Sequence, residues 1–162
     1  MNSESTSSSK PKSNSTFACI ATIVLVAGTA DILAALIQYF IATGKNPTVV
    51  LKFIASGIFG SRAFSAGNDF IFWGLVFHYL IVLIWTIIFV ITYPFVFPLV
   101  RNRWLFAVLI AIFIWLVMNF LVLPLSQAPP MPIQMKPAII SLAILFFAVG
   151  IPVSFLLERY YR

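Results

Sequence analysis

A chain of 162 residues that is 62% apolar and only 9% charged, with a mean hydropathy of +1.07, cannot clothe itself in a water-soluble surface. Its formal net charge of +6 comes from Lys and Arg scattered in ones and twos at the ends of apolar runs. With no basic stripe, nucleic acid is excluded as a partner and the lipid bilayer takes its place.

Residues 1–16, MNSESTSSSKPKSNST, are Ser-rich and nearly free of hydrophobes, so they read as a disordered tail. Phe17 to Ala42 is the first span, longer at about 1.5 Å per residue than the roughly 30 Å hydrocarbon core. Cys19, the single cysteine, cannot form an intrachain disulfide and reads as a small apolar filler. Lys10 and Lys12 ahead of this run, with Gly28-Thr29-Ala30 inside it, have the form of a signal cleaved before Asp31. The long polar lead and the apolar run continuing through Ile32 to Ala42 argue against cleavage.

TGKNPT breaks the first span. NPTVVLKFIASGIFG, residues 46–60, follows as a helix capped by Asn46 with Pro47 in its first turn. At about fourteen residues it is too short to span. Val50, Phe53, Ile54, Gly57 and Ile58 share an apolar face while Lys52 and Ser56 point the other way. That pattern over residues 47–60 predicts an interfacial or re-entrant helix, with Gly57 and Gly60 allowing close contact with a neighbouring span.

SRAFSAGND is a loop, and Phe70 to about Phe97 is the second span, with Pro94 and Pro98 marking its end and Arg101 and Arg103 just beyond. Trp104 to Leu125 is the third span, closing at Pro124. SQAPPMPIQMK is a Pro-rich connector, and Pro137 to Leu157 is the fourth span, kinked at Pro152. The expected fold is an all-α membrane protein, residues 17–162 forming one bundle of four transmembrane helices plus one short interfacial or re-entrant helix. Four spans put both termini on one side. That side carries Lys10, Lys12, Arg101, Arg103, Arg159 and Arg162, against Lys45, Lys52, Arg62 and Lys136 opposite, a bias that favours cytoplasmic termini.

Asp31 lies deep in the first span, where an ionised carboxylate costs about 2.5–3.5 kcal/mol on insertion scales. On a helix, Gly28, Asp31, Ala34, Ala35 and Gln38 share one face, and small residues there let another helix approach closely. The carboxyl is therefore aimed into protein. His78, the single histidine, sits at matching depth in the second span, with Gly74 one turn before it on the same face. Asn119 of the third span and Ser141 of the fourth fall in the same half of the membrane. The expectation is a polar cluster of Asp31, His78, Asn119, Ser141 and Gln38, with Asp31 contacting His78. Such a pair suits proton or ion handling. The same residues serve equally as interhelical hydrogen bonds of about 1 kcal/mol each.

One histidine supplies too few ligands for a metal or haem, so no cofactor is expected. With no paired intramembrane carboxylates, Gly-rich phosphate loop or Ser nucleophile motif, the chain does not read as an enzyme.

At ADILAALIQYF, KFIASGIFGSRAF, GLVFHYLIVLIW, WLVMNFLVLPLS and VGIPVSF the chain resembles a family of short bacterial membrane proteins. It is more distantly similar to the YagU-like inner-membrane proteins. The resemblance covers roughly residues 24–155 and implies four helices in a bacterial inner membrane, with no activity attached. Two functions stay open: a small transport or proton-conducting protein, assembled as a homo-oligomer, or an accessory subunit whose membrane-protein partner supplies the activity.

Overall fold

The computed structural model describes residues 13–65, 67–130 and 134–162. Six helices order the described residues: α1 (Ser13–Thr43), α2 (Thr48–Phe59), α3 (Arg62–Ser65), α4 (Asp69–Val100), α5 (Arg103–Leu125) and α6 (Met135–Tyr161). Of these, α1, α4, α5 and α6 are long and apolar enough to cross a membrane. The chain is a multi-pass, all-α membrane protein. The disordered tail expected over residues 1–16 falls, up to residue 12, outside the described residues, while Ser13–Thr16 already belong to α1.

The four spanning helices close a bundle in which α1 packs against α4 and α6, and α5 packs against α6 and α4. Ile23, Phe89, Ile110, Ile114, Val153 and Leu157 fill its centre. Leu25, Ile41, Leu99 and Phe147 cover the outside, where hydrocarbon and not water is their solvent. At one end, here the terminal end, Ser154 Oγ donates to the Arg103 carbonyl at 2.8 Å and Glu158 pairs with Arg103 at 3.6 Å and Arg162 at 2.8 Å. At the other, the connector end, the Gln127 amide donates to the Gly57 carbonyl at 2.9 Å, tying the α5–α6 connector to α2.

Pro94 and Pro98, expected to end the second span, lie inside α4, which continues to Val100 and stops at Arg101 in a left-handed conformation (φ 52°). A proline removes the amide that would serve the carbonyl four residues back. For Pro94 that carbonyl is Val90, and it accepts instead from the Tyr161 hydroxyl at 2.7 Å. Pro124 and Pro152 are accommodated differently. Each follows a π-turn, Met118–Val122 in α5 and Leu145–Gly150 in α6. The wider turn relaxes the clash between the proline ring and the preceding turn, so neither helix breaks. Asn102 starts α5 by accepting from the Trp104 and Leu105 amides at 2.9 and 3.3 Å.

The short helix also departs from expectation. Asn46 Oδ1 does accept from the Thr48 amide at 3.0 Å, but the face of α2 turned inward is Leu51, Ala55 and Ser56. Ser56, expected to point away from the packing face, is fully buried and donates to the Phe53 carbonyl at 2.6 Å. Ile58, expected on that face, is 54% exposed. Polarity marks inside from outside only where the outside is water; here lipid accepts Ile58, and shape decides. The shape is a notch at Gly74 of α4, where an added Cβ would lie 2.0 Å from the Leu51 carbonyl oxygen. Gly57 and Gly60 meet no span: they face Ser126 and Gln127 of the connector.

Candidate functional site

The site begins where α1 and α4 touch. Gly28 is buried under the Tyr79 ring, and a Cβ there would meet that ring at 3.0 Å. This closeness brings His78, itself buried, to the α1 backbone: its Nε2 lies 2.9 Å from the Gly28 carbonyl oxygen. A carbonyl can only accept, so Nε2 carries the proton of this bond. Beside it the Thr29 and Tyr79 hydroxyls meet at 2.8 Å.

One turn on from Gly28, Asp31 turns toward a partly open cavity of about 200 Å³ that His78 also lines. Trp85 and Thr86 of α4, Met118 of α5, Leu145 of α6 and Ile54 of α2 complete its wall. Thr86 spends its hydroxyl proton on the Val82 carbonyl at 2.8 Å. Among the described residues no side chain or amide donates to the Asp31 carboxyl, and no ion pair joins it to His78. The expected contact is thus a shared cavity: the imidazole proton goes to backbone, and the carboxyl faces open space.

The other members of the expected cluster lie elsewhere. Gln38, Asn119 and Ser141 line a second, larger cavity of about 580 Å³ nearer the connector end. Trp115 organises it: its indole N–H donates to Ser141 Oγ at 2.9 Å, and its carbonyl accepts from Asn119 Nδ2 at 2.8 Å. Ser141 in turn donates to the Ala138 carbonyl at 2.9 Å. Ala34 and Ala35 are half-buried on α1 and line neither cavity, while Gly74 receives α2 and not a spanning helix. Gly150 makes a comparable close approach, with an added Cβ falling 2.4 Å from the Ala107 carbonyl oxygen. Trp115 carried a readable signal, since an indole N–H in mid-span needs an acceptor. Met118, Ile54 and Gly150 carried none that separates them from ordinary apolar packing.

Among the described residues no three His, Cys, Asp or Glu converge as metal ligands. Chemically the inner cavity offers a carboxyl and an imidazole nitrogen, both able to exchange a proton with water. Comparison of the chain with protein-family models, curated proteins and solved structures finds no match.

Proposed function

We propose that this protein moves protons, or a small cation, across the membrane, with Asp31 and His78 as its titratable pair. One observation carries the reading: a carboxyl with no hydrogen-bond donor among the described residues faces the same cavity, about 200 Å³, as the single histidine. A half-buried carboxyl left without donors beside a cavity in an apolar bundle draws in water or a cation. Ionisable residues inside spans mark ion pathways and proton relays. Fixing Nε2 on the Gly28 carbonyl leaves Nδ1 for exchange, while the Asp31 carboxyl gives and takes its proton through cavity water. Asn119, expected beside the pair, belongs on this reading to the access route and not to the relay.

The setting we propose is a bacterial inner membrane with cytoplasmic termini. The sequence resemblance supports the first, and the basic residues gathered at the terminal end support the second. A homo-oligomer suits the function, because four helices enclose little space for a pathway.

A second reading has its own observation. The 2.9 Å bond from His78 to Gly28 cross-links α1 to α4, as the polar residues of an accessory subunit would. Purified protein in proteoliposomes, loaded with a pH-sensitive dye and driven by a potassium diffusion potential, separates the two. The paired Asp31→Asn, His78→Gln variant keeps size and hydrogen-bonding capacity but cannot titrate. On the transport reading it unfolds like the wild type and carries no protons. If neither protein passes protons while a stoichiometric partner co-purifies with both, the accessory reading replaces it.

A further inference from the structure

The two cavities are neighbours, offset along the bundle on α1 and α6. On α1, Asp31 lines the inner one and Gln38, two turns nearer the connector end, lines the outer. On α6, Leu145 lines the inner and Ser141, one turn nearer that end, the outer. Two helices contribute neighbouring residues to both sides of the divide. Met118 and Asn119 of α5 face the inner and outer cavity respectively, and so do Ile54 and Phe53 of α2. On α5 the two linings differ by face and not by depth: Ile114 and Met118 line the inner cavity, Trp115 and Asn119 the outer, so along this helix the cavities lie side by side. The outer cavity is edged by exposed Pro124, Pro129, Pro130 and Gln134, so its mouth is at the connector end. Its uncharged hydrogen-bonding groups suit water.

From this arrangement we infer that the outer cavity is the aqueous vestibule of the Asp31 site, separated from it by an apolar constriction of Ile54, Met118 and Leu145. The assignment deepens the proton-handling reading and rests on it for its purpose. Gln38, Asn119, Ser141 and Trp115 hold water at the mouth and place the Asp31 carboxyl in contact with the connector side of the membrane. Met118 is the movable element of the constriction: an unbranched, three-torsion side chain changes shape at little cost, whereas Ile54 is β-branched and stiff. A π-turn is one of the few places where a spanning helix can shift register locally. Among the described residues that line the outer cavity none is charged, so Asp31 is the first charged group that the vestibule leads to.

Cysteine accessibility tests this without needing transport. In a Cys19→Ser background, Asn119→Cys and Asp31→Cys are placed in turn in oriented vesicles and treated with a membrane-impermeant methanethiosulfonate. Asn119→Cys should react quickly from the connector side alone. Asp31→Cys should react slowly from that side, and at least tenfold faster when Met118→Ala is added, with Met118→Leu as the volume-matched control leaving the rate unchanged. Reaction of Asp31→Cys at a rate indifferent to Met118, or only from the terminal side, would overturn the vestibule assignment. Because the readout is a labelling rate, the vestibule can fail while proton flux persists, or stand in a protein that carries none.

Discussion

Gly74→Ala is the substitution whose effect follows most directly from the packing. Its Cβ would fall 2.0 Å from the Leu51 carbonyl oxygen and 2.6 Å from the carbonyl carbon, both backbone atoms of α2. Ordinary contact begins near 3.4 Å, so α2 must retreat by about 1.4 Å, the difference between 3.4 and 2.0. No side-chain rotation can relieve it. Overpacking costs about 1–3 kcal/mol, and a clash between backbones belongs at the upper end of that range. Against this stands the gain of about 0.8–1.0 kcal/mol from replacing glycine in a helix. The glycines therefore form a series. Gly57→Ala, whose Cβ meets only the Ser126 Cβ at 3.7 Å, should match or slightly exceed the wild type in detergent unfolding. Gly28→Ala meets the tip of a movable Tyr79 ring at 3.0 Å and should lose little. Gly74→Ala and Gly150→Ala should each lose about 1–2 kcal/mol net. Should Gly74→Ala prove as stable as Gly57→Ala, α2 does not sit in the notch and the wall it gives the Asp31 cavity is misplaced.

Three further outcomes are expected. Tyr161→Phe strands the Val90 carbonyl that Pro94 leaves unserved and should cost about 1 kcal/mol; in a Pro94→Ala background, where residue 94 regains its amide, the same change should cost close to nothing in a double-mutant cycle. His78→Ala removes the bond to Gly28 and should destabilise the α1–α4 contact by about 1–2 kcal/mol, while His78→Gln, which keeps a donor at similar reach, should recover most of it in the same unfolding assay. With cytoplasmic termini, Ser65→Cys and Gln127→Cys in a Cys19→Ser background should both react with impermeant maleimide on intact cells; labelling only after lysis would reverse the orientation.

The spans were legible because length and hydropathy set them with little competition, and Asn46 stands at the start of the short α2 as capping chemistry requires. Pro94 misled because its cost depends on whether a donor from elsewhere reaches Val90, and Tyr161 lies far along the chain. The face of α2 misled for a different reason. Hydrophobic periodicity assumes water outside, and Ile58 faces lipid while Ser56 satisfies itself on its own backbone. At the site, helical projection placed Asp31 inward and at the depth of His78. It could not tell that the Gly28 carbonyl takes the imidazole proton, since a backbone acceptor leaves no mark in composition. Nor could it separate Asn119 from Asp31: equal depth says nothing of the face, and Asn119 shares the Trp115 face of α5, which lines the other cavity.

The central claim is that the Asp31 carboxyl exchanges a proton with the cavity and that this exchange carries flux. Proton flux into proteoliposomes, measured for wild type, Asp31→Asn and Asp31→Glu at matched protein density, tests it most directly. The account predicts flux in the wild type, at least a tenfold loss with asparagine, and substantial recovery with glutamate, which restores a titratable group one methylene longer. Equal flux from wild type and a folded Asp31→Asn protein would contradict it.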